Sequence, residues 1–285
     1  MSSCLFVSDL HGREERYEKL AAAIARERPG AVFLGGDLLP PVFLGRAHGG
    51  EGGFVEEVLA AIFADLRARL GASYPRVFLI LGNDDPKTEE ELVRKWEVDG
   101  LWDYVHGRRA RWESWTIYGY AHVPPTPFRL KDWERYDVSR YVDPGCVSPE
   151  EGFRTVEVGK QEVRWSTIAQ DLEDLAGNDD LSRALFLFHT PPYGTSLDRA
   201  ALDDRSVEHV PLDVHVGSIA VRRFIEARQP CVTMHGHVHE SARLTGAWQE
   251  RFGRTVALSA AHDGPELALV RFDPERPEAA RRDLI

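Results

Sequence analysis

Cysteine, long apolar runs and an excess of positive charge are all scarce in this sequence of 285 residues. It has three cysteines, an odd number with no close pair, which argues against a disulfide framework and favours a reducing compartment. No apolar run approaches the roughly 18 residues of a membrane helix. Lys and Arg number 35 against 46 Asp and Glu, giving a formal net charge of −11. A general nucleic-acid binder would instead carry a basic face, so binding to long nucleic acid is disfavoured.

The composition that remains is typical of a globular protein, with 43% hydrophobic and 28% charged residues. We find no repeat, low-complexity tract or linker, and we predict one domain over residues 1–285 with an irregular insertion at about 122–159. The first residues lack the charged and long apolar segments of a secretion signal, and we interpret 5–8 as a strand. We therefore expect a cytoplasmic protein that does not associate with membranes.

The first hundred residues alternate between short apolar runs and amphipathic segments, which is typical of parallel βαβ units. Strands are predicted at 5–8, 31–34, 77–81, 185–188, 231–234, 255–259 and 267–272, with shorter strands within 104–121. Helices are predicted at 13–27, 54–70, 88–96, 163–175 and 216–227. Thr88 and Glu91 suggest a capping box for the third helix. A Pro- and Gly-rich loop is expected at 39–53, and a polar tail after the last strand.

Five of the apolar runs end in side chains that can bind a metal ion. These side chains belong to Asp9, His11, Asp37, Asn83, His189, His237 and His239. Because ligands of open α/β sheets bind outside the carboxyl ends of the strands, we expect them to converge. Oxygen and nitrogen donors without thiolate suit Mn, Fe, Zn or Ni better than Ca. Seven ligands are too many for one such ion, but they suit two ions that share a carboxylate and act together on a phosphoryl group.

At these residues the sequence resembles the calcineurin-like metallophosphoesterase superfamily. The DxH, GD, GN, lone His and GHxH blocks of that superfamily occur in order, at 9–11, 36–37, 82–83, 189 and 236–239. The resemblance implies an α/β fold, a four-layer α/β/β/α sandwich in which two mixed sheets face each other and helices lie outside. It also implies a phosphoester hydrolase in which a hydroxide between two metal ions attacks phosphorus.

The resemblance gives each ligand position a role. The first ion would be held by Asp9, His11 and His239, the second by Asn83, His189 and His237, and both by Asp37. The cofactors implied are two divalent ions, drawn from Mn, Fe, Zn, Ni and Mg, and we favour Mn²⁺. The expected partner is a small phosphoester substrate, which includes nucleotides and cyclic nucleotides. The oligomeric state cannot be read from the sequence.

The sequence departs from the family pattern directly after Asn83. Familiar members have GNH, whose His donates to the phosphate and can protonate the leaving group, whereas this chain has Asp84 followed by Asp85. An Asp carboxyl has an ordinary pKa of about 3.9, and neighbouring cations would lower it further. We therefore expect Asp84 to be ionised at pH 7, to be a poor general acid and to favour phosphodiesters over phosphomonoesters. The alternative is a turn residue that binds nearby backbone.

Four further positions bear on the site. Pro40 stands where the family often has a second carboxylate, in GDxxD. His215 precedes a predicted helix start, and it is a candidate substrate ligand or proton donor, with a loop His near a helix cap as the alternative. His235 alternates away from His237, so we interpret it as a core residue or a support for the ligands. Arg16 is expected on a solvated helix face, with contact to the phosphate of a substrate as the alternative.

Other functions compete with a phosphodiesterase. A scaffold on the same fold that has lost catalysis would show degraded ligands, yet all seven positions are intact. Structural zinc is disfavoured, because it prefers cysteines in close pairs. A phosphomonoesterase, a protein phosphatase and a nuclease remain alternatives within the hydrolase class.

Overall fold

The structure is a computed structural model that describes residues 3–41 and 53–285. The predicted loop at 39–53 therefore falls largely outside the described residues. The strands are β1 Cys4–Val7, β2 Ala31–Gly35, β3 Arg76–Ile80, β4 Asp103–Tyr104, β5 Arg108–Trp112, β6 Trp115–Tyr120, β7 Ala184–Phe188, β8 Ser206–Val207, β9 Val210–Pro211, β10 Val232–His235, β11 Gln249–Phe252, β12 Thr255–Ser259, β13 Ala268–Phe272 and β14 Arg281–Leu284. The α-helices are α1 Glu14–Glu27, α2 Ala61–Leu70, α3 Glu90–Val98, α4 Lys160–Trp165, α5 Ile168–Ala176, α6 Ile219–Arg228 and α7 Ser241–Thr245. A π-helical segment, Val55–Ala60, leads into α2.

Two six-stranded mixed sheets form the centre of the fold. The first has the order β14-β13-β1-β2-β3-β4, with β1 to β4 parallel and β13 and β14 antiparallel at one side. The second has the order β11-β12-β10-β7-β6-β5, with four parallel inner strands and an antiparallel strand at each edge. Because β1 to β4 of the first sheet and the four inner strands of the second sheet are parallel, the carboxyl ends of these strands lie along one edge of each sheet.

Alternating side chains divide the apolar core into layers. Leu185 and Leu187 of β7 belong to the cluster that includes the first sheet, whereas Phe186 and Phe188 belong to a cluster with α5 and α6. The rings of Phe33 and Trp112, one from each sheet, lie 6.5 Å apart and join the layers. The four-layer sandwich with two mixed sheets is therefore confirmed.

The prediction of one continuous helix at 163–175 is wrong. The segment is two helices, α4 and α5, because Ser166 is extended and the Thr167 side chain caps α5 by accepting from the Gln170 N–H. The Thr88–Glu91 capping box is also wrong, since the Thr88 N–H donates to the Thr155 hydroxyl and α3 begins without a side-chain cap. Short local patterns mark a helix more reliably than they mark its ends.

The polar tail is wrong as well, because it contains β14, the edge strand of the first sheet. Residues 122–159 contain isolated bridges but no regular strand or helix, and they pack around buried Trp133 and the buried Lys131–Glu134 ion pair.

A single domain over 1–285 stays a prediction. Within the described residues, no helix combines the length and apolar character that a membrane crossing requires.

Candidate metal centre

The ends of five strands bring the candidate ligands of both sheets together. Asp9, His11, Asp37 and His239 each offer one ligand atom within 4.8 Å of the others. The imidazole nitrogens Nε2 of His11 and His239 are 3.1 Å apart, and Nε2 of His239 is 3.3 Å from Oδ1 of Asp9. These side chains meet between the loops that follow β1, β2 and β10.

A second group shares a member with the first. Asp37, His189 and His237 also offer ligand atoms within 4.8 Å of one another. Nε2 of His189 lies 3.2 Å from Oδ2 of Asp37 and 3.0 Å from Oδ1 of Asn83. The structure thus brings all seven predicted side chains into two adjoining groups, with Asp37 in both.

The backbone is unusual at four of the seven positions. Asp9, His11, Asp37 and His237 have φ of 58°, 48°, 51° and 73°, in the left-handed region that few residues other than glycine adopt. The surroundings fix this conformation at His11, whose N–H donates to the Asp37 carbonyl at 2.8 Å. Such conformations are retained where the side-chain direction matters, and here they turn the ligands towards the centre.

Two motif glycines are required by close approach to these ligands. A Cβ on Gly82 would lie 2.3 Å from Oδ1 of Asp37, and a Cβ on Gly236 would lie 2.7 Å from Oδ2 of Asp9. Any side chain at either position would displace a candidate ligand. The glycines of the GN and GHxH blocks therefore create room for the site.

Hydrogen bonds hold the ligands in orientations that face the centre. Nδ1 of His189 donates to the Gly35 carbonyl at 2.8 Å, which leaves Nε2 directed at the site. The Asn83 amide N–H₂ donates to Asp84 at 2.9 Å, so its Oδ1 faces His189. Asp84 thus acts on nearby groups as a turn residue does, and its own N–H donates to Asp37 at 2.8 Å.

Arg16 is not on a solvated helix face. Its side chain is buried, and its guanidinium donates to the carbonyl of Asp9 at 2.6 Å and to that of Gly264 at 2.5 Å. It thereby fixes the strained residue that carries the first ligand. The amphipathic pattern of α1 could not predict this contact, because Gly264 is 248 residues away from Arg16 in sequence.

The charges of the site pair carboxylates with imidazoles. Burial raises the pKa of Asp9, but the hydrogen bond and charge of His239 outweigh burial and lower it to about 2. Burial lowers the pKa of His189, yet the charge of Asp37 raises it to about 10. The pKa of His237 falls to about 3, chiefly through burial. Protonated imidazoles therefore offset the carboxylates in the absence of metal, at positions where cations would do the same.

The donor set fits divalent cations. Oδ2 of Asp9 is buried and has no hydrogen-bond partner among the described residues, which is costly for a carboxylate unless a cation neutralises it. Two carboxylates, an amide oxygen and imidazoles suit the first-row metals expected from the sequence.

The ionisation of Asp84 at pH 7 stays a prediction, and burial of the side chain works against it. Burial first and the charge of Asp37 second raise the pKa of the Asp84 carboxyl to about 7. Sequence reasoning started from the ordinary value of an exposed Asp, whereas the side chain is only 36% exposed. Cations bound at Asp37 would oppose the second cause but not the first.

Asp85 links two loops, a contribution that sequence reasoning missed. The oxygens of its buried carboxyl group accept from the N–H groups of Leu38, Leu39 and Gly82 at 2.7 to 3.1 Å. Burial and then Asp37 raise its pKa to about 8. A buried carboxyl group thus holds the loop in which Pro40 replaces the acidic residue of the family pattern.

His235 and His215 lie outside the ligand groups. His235 is buried, with hydrogen bonds to the Thr190 carbonyl and the Thr233 hydroxyl, and burial lowers its pKa to about 4. His215 lies in a loop and pairs with Asp198, at 2.7 Å between Nδ1 and Oδ1. No sequence signal marked Asp198, because it is 17 residues away in a segment without regular periodicity.

Comparison with solved structures supports the fold. The protein TT1561 of Thermus thermophilus aligns with a TM-score of 0.58 at 18% identity, covering 99% of this chain and 98% of that one. A dimetal phosphatase from Danio rerio aligns with a TM-score of 0.53 at 12% identity, covering 95% and 91%. At these identities the likeness shows the fold alone. Among curated proteins none matches the sequence at a significant level.

A family model matches well over half of the chain. The model of the calcineurin-like phosphoesterase family matches residues 3–241, which include every candidate ligand. The chain therefore belongs to the calcineurin-like phosphoesterase family.

Proposed function

We propose that this protein is a phosphoester hydrolase that depends on two divalent metal ions and favours phosphodiesters. The observation that carries the proposal is the pair of ligand groups that share Asp37. A shared carboxylate is what two neighbouring cations require, because it offsets the charge of both. The fully buried Oδ2 of Asp9, without a partner among the described residues, supports the same proposal.

The residues of the chain would hold two ions in unlike surroundings. Asp9, His11 and His239 would bind one, and Asn83, His189 and His237 the other, with Asp37 between them. When bound, such ions supply Lewis acidity and make water at the site more acidic. Asn83 and the imidazoles are neutral ligands, so they leave much of that acidity intact, and the Gly35 carbonyl keeps His189 in register.

Restoring metal to stripped protein is expected to restore hydrolysis of bis-p-nitrophenyl phosphate. Mn²⁺, Fe²⁺, Zn²⁺, Ni²⁺ and Mg²⁺ are added back separately, and we expect Mn²⁺ to give the highest rate. Binding at 100 times Kd contributes about 2.7 kcal/mol of stability, so the unfolding temperature should rise by roughly 5 to 10 °C.

The stripped protein without metal is the control for both readouts. Two ions bound per chain with no turnover of any phosphodiester or phosphomonoester would contradict the hydrolase and favour a metal-binding scaffold. Bound metal with turnover of monoesters alone would favour a phosphomonoesterase or protein phosphatase.

The diester preference rests on Asp84. A carboxyl next to the ligand groups offers a dianionic phosphate no cation and, when ionised, repels it more than a monoanion. We expect kcat/KM for bis-p-nitrophenyl phosphate to exceed that for p-nitrophenyl phosphate by about tenfold, equivalent to about 1.4 kcal/mol. Asp84→Asn keeps the shape of the side chain and removes its charge, so we expect it to bring the diester-to-monoester ratio of kcat/KM closer to one. A monoester preference in the parent protein would contradict this proposal.

A small phosphoester, including a nucleotide or cyclic nucleotide, remains the proposed substrate class. The cytoplasmic location also stays a proposal, supported by three cysteines that form no disulfide.

A further inference from the structure

The His215–Asp198 pair is a histidine held by a buried carboxylate. Asp198 is fully buried, and its oxygens accept from the N–H groups of Gly194, Thr195 and Gly217 at 2.8 to 3.1 Å. Every partner of this carboxylate is therefore a donor, and Nδ1 of His215 must donate to it as well, at 2.7 Å. The tautomer and the ring direction of His215 are thus fixed.

The other ring nitrogen is left for a different partner. None of the hydrogen bonds within 3–41 and 53–285 uses Nε2 of His215, and the side chain is 33% exposed. A carboxylate-oriented imidazole with a free, accessible nitrogen is the arrangement used for proton transfer. His235, by contrast, is fully buried and has a hydrogen-bond partner on both ring nitrogens.

This pair lies in the loop of residues 190–218, which begins directly after the candidate ligand His189 and contacts the residue after His239. Its first residues follow His189 directly, and the Pro191 carbonyl accepts from the Ser218 N–H at 2.9 Å. Further along, the Ala201 N–H donates at 2.9 Å to Glu240, the residue after His239. An isolated bridge between Arg199 and His215 joins the two arms of the loop. The loop that carries His215 therefore starts at one candidate ligand and contacts the neighbour of another.

We propose that His215 is the proton donor to the leaving group, and that Asp198 is its positioning residue. This inference rests on the proposed function. The familiar family members have a His after the GN block for this task, whereas here that position holds Asp84. The structure supplies an imidazole from a different loop, and a carboxylate of its own holds the Nδ1 side of the ring.

The proposed step conserves atoms and charge. Water forms a new bond to phosphorus and releases one proton as the bond between phosphorus and the leaving oxygen breaks. The protonated imidazole gives its Nε2 proton to that oxygen, so the leaving group departs as a neutral alcohol. The proton released by the water then restores the imidazole.

A series of methyl aryl phosphates tests this role, because only the acidity of the leaving group changes. Metal-loaded wild type and His215→Asn are compared on methyl p-nitrophenyl, methyl p-chlorophenyl and methyl phenyl phosphate. General acid catalysis contributes at least about 10²-fold where the leaving group needs a proton. We expect His215→Asn to lose about 100-fold in kcat/KM on the phenyl ester and less than about threefold on the nitrophenyl ester. For Asp198→Asn we expect a smaller loss in kcat/KM that also grows as the leaving group becomes less acidic.

His209→Asn is the matched control, since His209 is exposed in the same loop, and it should leave the series unchanged. Metal content and unfolding temperature are measured for each variant, and His215→Gln replaces His215→Asn if the latter is poorly folded. An equal loss on all three esters, or no loss, would overturn the proton-donor role. Wild type without metal-dependent turnover of any ester would instead overturn the proposed function itself.

Discussion

Asp37→Asn is expected to lower kcat/KM for a phosphodiester by about 10³-fold, equivalent to about 4 kcal/mol of transition-state stabilisation. The reason is that Asp37 belongs to both ligand groups, with its Oδ2 3.2 Å from His189 and 3.9 Å from His11. An amide of the same shape cannot offset the charge of two cations. The metal content should fall from two ions per chain, as measured by elemental analysis alongside the kinetics.

Asp65→Asn is the matched control for this variant. Asp65 is exposed on α2 and pairs only with Arg69 among the ion pairs described. It should therefore change neither the rate nor the metal content, since such surface pairs contribute about 0–1 kcal/mol. An Asp37→Asn protein that keeps both ions and more than about a tenth of the activity would contradict the bridging role.

Asp85→Ala is expected to lower the free energy of unfolding by about 4 kcal/mol. The truncation leaves the buried N–H groups of Leu38, Leu39 and Gly82 without their acceptor, and each such group costs about 1–3 kcal/mol. Urea unfolding of metal-free protein measures this loss without a contribution from metal binding. Because the candidate ligands Asp37 and Asn83 lie in these two loops, we also expect weaker metal binding.

Asp103→Ala provides the comparison, because Asp103 is paired with Arg76 near the surface and should lose at most about 1 kcal/mol. Equal stability losses in the two variants would contradict the bracing role of Asp85. Asp85→Asn should fall between them, since the amide retains one acceptor oxygen.

The sequence was informative where periodicity and chemistry coincide. The buried apolar runs that form β1, β2, β3, β7 and β10 were recognisable, and the polar residues at their ends marked the carboxyl ends of parallel strands in both sheets. The general placement of ligands at the carboxyl ends of parallel strands was enough to predict that those residues converge. Spacing alone could not give the left-handed backbone at Asp9 or Asp37, which arises from hydrogen bonds between loops.

The features that were missed depend on contacts between distant segments. Arg16 is hydrogen-bonded to Gly264, and His215 to Asp198, but no local sequence pattern predicts either contact. The raised pKa of Asp84 depends on burial, which residue type does not disclose. Likewise β14 is a polar edge strand, and its alternation is too weak to distinguish it from a tail.

The candidate centre joins His11 to His239, which are 228 residues apart in the chain. Contacts of such long range form late in folding, because a large loop must close before they contribute. A partly folded chain would therefore contain individual ligand loops but no complete pair of groups. Hydrolytic activity would then appear only when both sheets have docked, so a refolding experiment that follows turnover reports completion of the native topology, whereas circular dichroism would register the helices earlier.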